Sequence, residues 1–155
     1  RQPEVCKRRG LFISGIIIME NKKQESGFNL NNIILLGSEF SRANQVFYDN
    51  VKNEMNINVD VQVEDNIIAV KETLTIRQTR QENEQVKMTV MVVGVFEKVG
   101  ESALDNLEEF GHTNGAAIIF PYIREHVSSL SMKAGIMPII LQPVNFISLY
   151  NSNKK

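Results

Sequence analysis

Ile57-Asn58-Val59-Asp60-Val61-Gln62-Val63-Glu64 is the stretch that decides the fold class. Apolar and polar residues alternate without a break, and every apolar one is β-branched. That is the signature of a strand with one buried face. Asp65-Asn66 next offers a tight turn. Ile68, Val70, Leu74 and Ile76 keep even spacing through a further strand, with Glu72 interrupting. Gln81–Glu84 is polar enough to turn the chain again, and Val86, Met88, Val90, Val92 and Phe96 mark another strand. The centre of that strand, Val90–Val93, is apolar on both faces, so both sides of the sheet there need cover from helices or another subunit. No helical pattern separates these three strands, so they read as an antiparallel meander rather than βαβ units.

Upstream, Phe28 and Leu30 alternate with Asn29 and Asn31, the run Ile33–Leu36 follows, and Phe40 resumes the pattern. Gly37 suggests a bulge or bend in this first strand. Residues 41–55 are mixed and polar and read as a connection. Downstream, Glu101–Glu109 suits a short helix with Leu104 and Leu107 on one side, and Gly111–Gly115 reads as a loop. Ile119, Ile123, Val127, Leu130 and Ala134 then recur at three- and four-residue steps, an amphipathic helix. Pro121 suits its first turn or kinks it, and Gly135 is a natural stop. Pro138 and Pro143 keep the next segment extended. Val144–Asn151 predicts a last short helix. The order is α+β: a four-stranded antiparallel sheet, then a long helix and a short C-terminal helix.

The 155 residues suit one domain, and a net charge of −1 offers no basic field for nucleic acid. Cys6 is the single cysteine, which excludes an internal disulfide framework and a Cys-rich zinc site. No apolar run approaches the ~20 residues of a membrane helix. Residues 1–18 hold Arg1, Lys7, Arg8 and Arg9 against Glu4, then a short apolar run. They read as a leader or an expression-derived segment outside the fold, with 19–155 as one domain of charge −4.

Chemistry-bearing motifs are sparse. His112 and His126 lie fourteen residues apart with no HExxH or cysteine partner. No serine sits in a nucleophile elbow. Gly111–Gly115 lacks the lysine of a phosphate loop. Glu64, Asp65 and Glu72 are expected at or near strand ends, solvated. The expectation is no enzyme, no cofactor and no metal. Apolar and aromatic residues stand out instead: Phe96, Phe110, Phe120, Tyr122, Ile136, Met137, Val144, Phe146, Leu149 and Tyr150 are the candidates for a groove that takes an extended apolar peptide. A free sheet edge also offers main-chain hydrogen bonds to such a peptide.

Phe120-Pro121-Tyr122-Ile123-Arg124-Glu125 closely resembles the Phe-Pro-Tyr-x-Arg-Glu helix start of the SecB export chaperone family. Pro143-Val144-Asn145-Phe146, with Leu149-Tyr150 after it, resembles the family's second C-terminal motif. Weaker matches are Phe28–Asn31 and Gly94-Val95-Phe96. The likeness spans about residues 27–151. It implies a homotetramer, a dimer of dimers, with Ile119, Ile123, Arg124, His126, Val127 and Leu130 at subunit interfaces. It also implies cytoplasmic, ATP-independent holding of unfolded polypeptides for export. A chaperone dedicated to an antitoxin, or an oligomeric adaptor without general clients, is the alternative. The acids that the family presents to the translocation ATPase fall here on about Gly37, Ser41 and Thr89, which leaves docking on that ATPase in doubt.

Overall fold

The computed structural model describes residues 10–13, 16–19, 27–100 and 106–154. Strands β1 (Gly10–Ile13) and β2 (Ile16–Met19) pair with each other as a separate two-stranded sheet. The rest of the stretch expected to be a leader lies outside the described residues.

The main sheet holds β3 (Phe28–Arg42), β4 (Val51–Glu64), β5 (Ile67–Arg80) and β6 (Asn83–Lys98), in the order β3-β6-β5-β4, all antiparallel. The three period-two stretches form the expected meander, β4 to β5 to β6. Two tight turns join them. Asp65 takes a φ of 54°, and Gln81 and Glu82 both take the left-handed region, at 50° and 64°. A turn with both central residues there matches the right-handed twist of the flanking strands. The register between β3 and β6 slips between Leu35 and Gly37, the bulge that Gly37 predicts.

The strands reach further than their patterns suggest. Of the stretch read as a connection, residues 41–42 end β3 and Val51–Met55 begin β4; only Ala43–Asn50 link them. This link carries the chain from one edge of the sheet to the other, past the ends of β6 and β5. It is pinned rather than slack. Gln85 donates to the carbonyl of Phe47 at 2.6 Å and accepts from its N–H at 3.1 Å. Arg80 pairs with Asp49 at 3.1 Å and lies 4.2 Å over the Phe47 ring. Lys52-Asn53-Glu54 lacks apolar alternation because this part of the edge strand faces water on both sides, so its strand character comes from pairing with Thr79, Gln78 and Arg77.

Helix α1 (Leu107–Phe110) runs through a π-helical turn (Gly111–Gly115) into α2 (Ala116–Lys133). The expected Gly111–Gly115 loop is therefore helical, and the physical reason is contact with the sheet. A Cβ at Gly111 would lie 2.6 Å from Val61, and one at Gly115 would lie 3.2 Å from Val70. Glycine there lets helix backbone rest directly on β4 and β5, and that packing outweighs glycine's low helix propensity. Of the short helix expected over 101–109, residues 101–105 lie outside the described residues; Asn106 caps the remainder through Glu109 N–H.

The core lies between one face of the sheet and this helical layer. Even-numbered residues of β5 and β6, from Ile68 to Ile76 and Val86 to Phe96, meet Ile119, Ile123 and Val127 of α2. The opposite face of the sheet, with Met91 and Val93, is only half-covered. Gly135, at a φ of 70°, ends α2 as expected. Arg42 fastens that end, donating from Nη1 to the carbonyl of Ala134 at 2.6 Å. Residues 137–145 then cross the molecule without regular structure. Helix α3 (Phe146–Asn153) starts two residues later than its pattern predicts, because the Asn145 side chain accepts from Ser148 N–H and caps it.

Candidate functional site: an apolar groove beside the edge strand

The segment after α2 leaves the helical layer and runs beside the start of β4. Its backbone is held at two points. Ile139 N–H donates to Ser131 Oγ at 2.9 Å, while that hydroxyl donates to the Ser128 carbonyl at 2.8 Å. Met137 N–H donates to the Tyr48 hydroxyl at 3.1 Å. Tyr48 belongs to the link between β3 and β4, so the link and the segment form one structure.

Between them lies a groove of about 450 Å³. Its floor is Ile76 and Gln78 of β5. One wall is Val51, Asn53, Glu54 and Met55 of β4 with Tyr48, and the other is Ile136 through Leu141. Ile136 and Leu141 are buried and root the second wall, whereas Met137 and Ile140 stand 61 % and 71 % exposed. Met55 and Tyr48 are exposed opposite them. These large apolar side chains stand open to water on a backbone held at Ile139 and Met137. Glu54 is the one charge among the described residues of the lining, and Lys52 neutralises it through a 2.7 Å ion pair that holds its carboxyl below the usual range.

The residues singled out for a groove do not gather in one place. Ile136 and Met137 line the groove described. Phe96, Phe110, Phe120 and Phe146 are buried in the core, where Phe110 stacks on Phe28 at 3.7 Å and Phe120 meets Phe146 edge-on at 5.6 Å. Val144, Leu149 and Tyr150 are half-buried, and Tyr150 stacks on His112 at 4.9 Å. Tyr122 is exposed on the outward side of α2. Reasoning from sequence missed Tyr48, Val51 and Met55. Their signal was weak, because they sit in the stretch read as a polar connection.

Of the six residues expected at subunit interfaces, Ile119, Ile123 and Val127 are wholly enclosed by this chain's own sheet, and Leu130 packs at the edge of its core. Side chains so enclosed have no surface left to offer a partner. Arg124 and His126 are half-buried. His126 Nε2 lies 2.8 Å from Ser38 Oγ and ties α2 to β3. The outward apolar surface is made instead by Ile118 and Tyr122 on α2 and by Ile34, Leu35 and Leu36 on the edge strand β3. His112 lies 3.9 Å from Glu108 at the other end of the helix, so the two histidines do not converge. Among the described residues no group of three or more His, Cys, Asp or Glu is placed to hold a metal. No described helix is long and apolar enough to cross a membrane.

One acid breaks its expectation. Glu72 is at neither end of β5 but in its middle, fully buried, facing the helical layer. Among the described residues neither of its carboxyl oxygens has a hydrogen-bond partner. Burial pushes its pKa up to about 8. Its even position on an alternating strand put it on the core face all along, and the unconditional preference of acids for water hid this.

A four-stranded antiparallel sheet in this order, with one face under a long helix and a short helix at the C-terminus, is a SecB-like α+β fold. The chain belongs to the SecB family: the family model described as preprotein translocase subunit SecB matches residues 21–155. A protein-export protein SecB from Aromatoleum aromaticum is 30 % identical over 125 residues, covering 77 % of each chain. An uncharacterized protein from Methanocaldococcus jannaschii is 33 % identical over 121 residues, covering 74 % of this chain and 77 % of that one. A SecB-like chaperone from Mycobacterium tuberculosis, solved with a ChAD peptide from the HigA1 antitoxin, superposes with a TM-score of 0.64 at 16 % identity. It covers 79 % of this chain and 98 % of that one. The family and the fold make this protein a chaperone.

Proposed function

We propose that this chaperone holds unfolded polypeptides without nucleotide, taking extended apolar segments into the groove between β4 and residues 136–141. The observation that carries the reading is the exposure of Met137, Ile140, Met55 and Tyr48 around one groove whose backbone is fixed. Methionine adapts to varied neighbours, which suits clients of many sequences. Binding the unfolded chain alone slows folding and aggregation by mass action.

Four chains assemble through the outward faces of α2 and β3. Ile118, Tyr122 and the Ile34–Leu36 run supply the apolar surface for this contact. Gly37, Glu39, Ser41 and Thr89 lie on the open face of the sheet, where Ser41 neighbours Lys87 and Lys87 neighbours Arg77. Arg77 is itself paired with Glu84 at 2.8 Å, so Gly37, Ser41 and Thr89 stand on a face of mixed charge, without acids at the three positions that the resemblance implies.

The test is suppression of aggregation of two unrelated denatured proteins, without nucleotide. Protection of both at stoichiometric amounts is the expected result. Replacing Met137 and Ile140 together by aspartate should weaken client affinity about tenfold or more, since each loses most of a side chain's worth of apolar burial. Both positions are exposed, so circular dichroism should stay unchanged. Unchanged protection by that variant removes the groove from the reading. A second reading, one dedicated client, has its support in the antitoxin peptide bound by the M. tuberculosis protein. It predicts that neither general substrate is protected while one antitoxin segment is.

A further inference from the structure

Glu72 occupies the least hospitable place in the molecule for an acid. It lies in the interior strand β5, flanked across the ladder by Val59 and Val92 and along its own face by Val70 and Leu74. No surface of it is exposed, and among the described residues both oxygens are unpartnered. Among the described residues, the elements around it hold no compensating charge. The core faces of β4 and β5 carry no other ionisable group between Val51 and Val63 or between Ile68 and Ile76. On the covered side of β6 and β3, Arg42 stands level with Val86 and is engaged with the carbonyls of Ala134 and Asn44. Lys98 stands at the other end of β6. Each is six residues along β6 from Val92, about 20 Å at the rise of a strand. In the helical layer, α2 presents Ile119, Ile123 and Val127 inward, and residues 134–145 contain no ionisable side chain. Glu108, Glu109, His112, Arg124, Glu125, His126, Lys133 and Lys154 are the charged or titratable groups of that layer besides Tyr122 and Tyr150, and none of them bonds to Glu72.

A protonated carboxyl tolerates such a site, whereas an ionised one needs water or a counter-charge. We propose that Glu72 is a proton-operated latch between the sheet and its helical layer. With the proton in place the layer lies on the sheet. Once the proton leaves to solvent, the layer parts from the sheet to hydrate the carboxylate. Both forms are within reach near neutral pH, because burial has moved the ionisation up to about 8. Opening uncovers the sheet face under α2, together with Val144, Phe146 and Leu149, which pack on the core cluster. That this surface then serves clients rests on the holdase reading; the latch itself is tested with no client present.

The measurement is amide hydrogen exchange of the full chain from pH 5.5 to 9, each rate corrected for the intrinsic pH dependence of exchange. In the open state Glu72 regains an ordinary carboxyl ionisation near pH 4.3. Between that value and about 8 the opened state alone releases the proton. The opening constant for α3 therefore rises about tenfold per pH unit, roughly 100-fold from pH 5.5 to 7.5, and levels off above pH 8. Glu72→Gln keeps the shape of the side chain and should show no such rise. Glu72→Val, which leaves no buried amide to satisfy, should be equally flat. A flat wild-type profile overturns the proposal, and so does the same slope in Glu72→Gln. Failure of both variants to fold also overturns it, since the latch requires the site to accept a neutral side chain.

Discussion

Gly94 and Gly37 both sit in the sheet, yet they predict opposite responses to one added methyl. A Cβ at Gly94 would fall 2.5 Å from Ile119 Cγ2, a branched side chain with no freedom in a closed core. Gly94→Ala should cost about 1–3 kcal/mol, read as a lowered urea midpoint with unchanged slope. A Cβ at Gly37 would fall 2.6 Å from Met91 Cε, the free tip of a flexible chain. Gly37→Ala should change stability by less than about 0.5 kcal/mol. Equal losses would mean that the helix does not press on the sheet at Gly94. Nothing local in the sequence separates these two glycines. The difference comes from a helix that begins more than twenty residues after Gly94, and single-chain patterns do not report such contacts. Glu72 was illegible for a related reason: alternation assigned it inward while its charge argued outward, and only the packed structure decides between them.

At the scale of elements, strands were legible where one face is buried and illegible where neither is. Ile57–Val63 announced itself, but Val51–Met55, the same strand, did not, because this end of the edge strand flanks the groove and is wet on both sides. The wall of the groove was thus lost with it. The helices were legible by period, except where glycines met the sheet. Helix α2 also shows how one residue can hold an element's end. Arg42 gives Nη1 to the Ala134 carbonyl, Nη2 to Asn44 and Nε to Ala43. Its charge also lies at the negative end of the helix dipole. Arg42→Ala should cost about 1–2 kcal/mol. It should also speed hydrogen exchange at Gly135 and Ile136, whose amides close the last turn on Met132 and Ser131. Arg42→Lys should restore only part of this, since an ammonium cannot reproduce the fork. Full restoration would assign the effect to charge alone.

Among the described residues, two sets of exposed apolar side chains carry proposed roles, and the reading given to each can fail separately. The groove is proposed for clients, and the outward face of α2 with β3 is proposed for other copies of the chain. Ile118→Asp with Tyr122→Asp should shift the mass in light scattering from about four chains toward the 17.6 kDa of one, leaving the groove intact. An unchanged mass would remove that face from the assembly. Fold class and strand order within the meander were open to reading from periodicity. The placement of the first strand was not: it lies beside β6 rather than β4, and pairing between strands distant in sequence leaves no periodic trace.

That placement has a consequence while the protein is being made. β3 leaves the ribosome first among the four strands, but its partner β6 follows roughly 60 residues later, a delay of order 3–10 s at ordinary rates of synthesis. For those seconds the Ile33–Leu36 run is an extended apolar segment with nowhere to pair. A newborn copy thus passes through the very condition that its finished siblings are proposed to guard against.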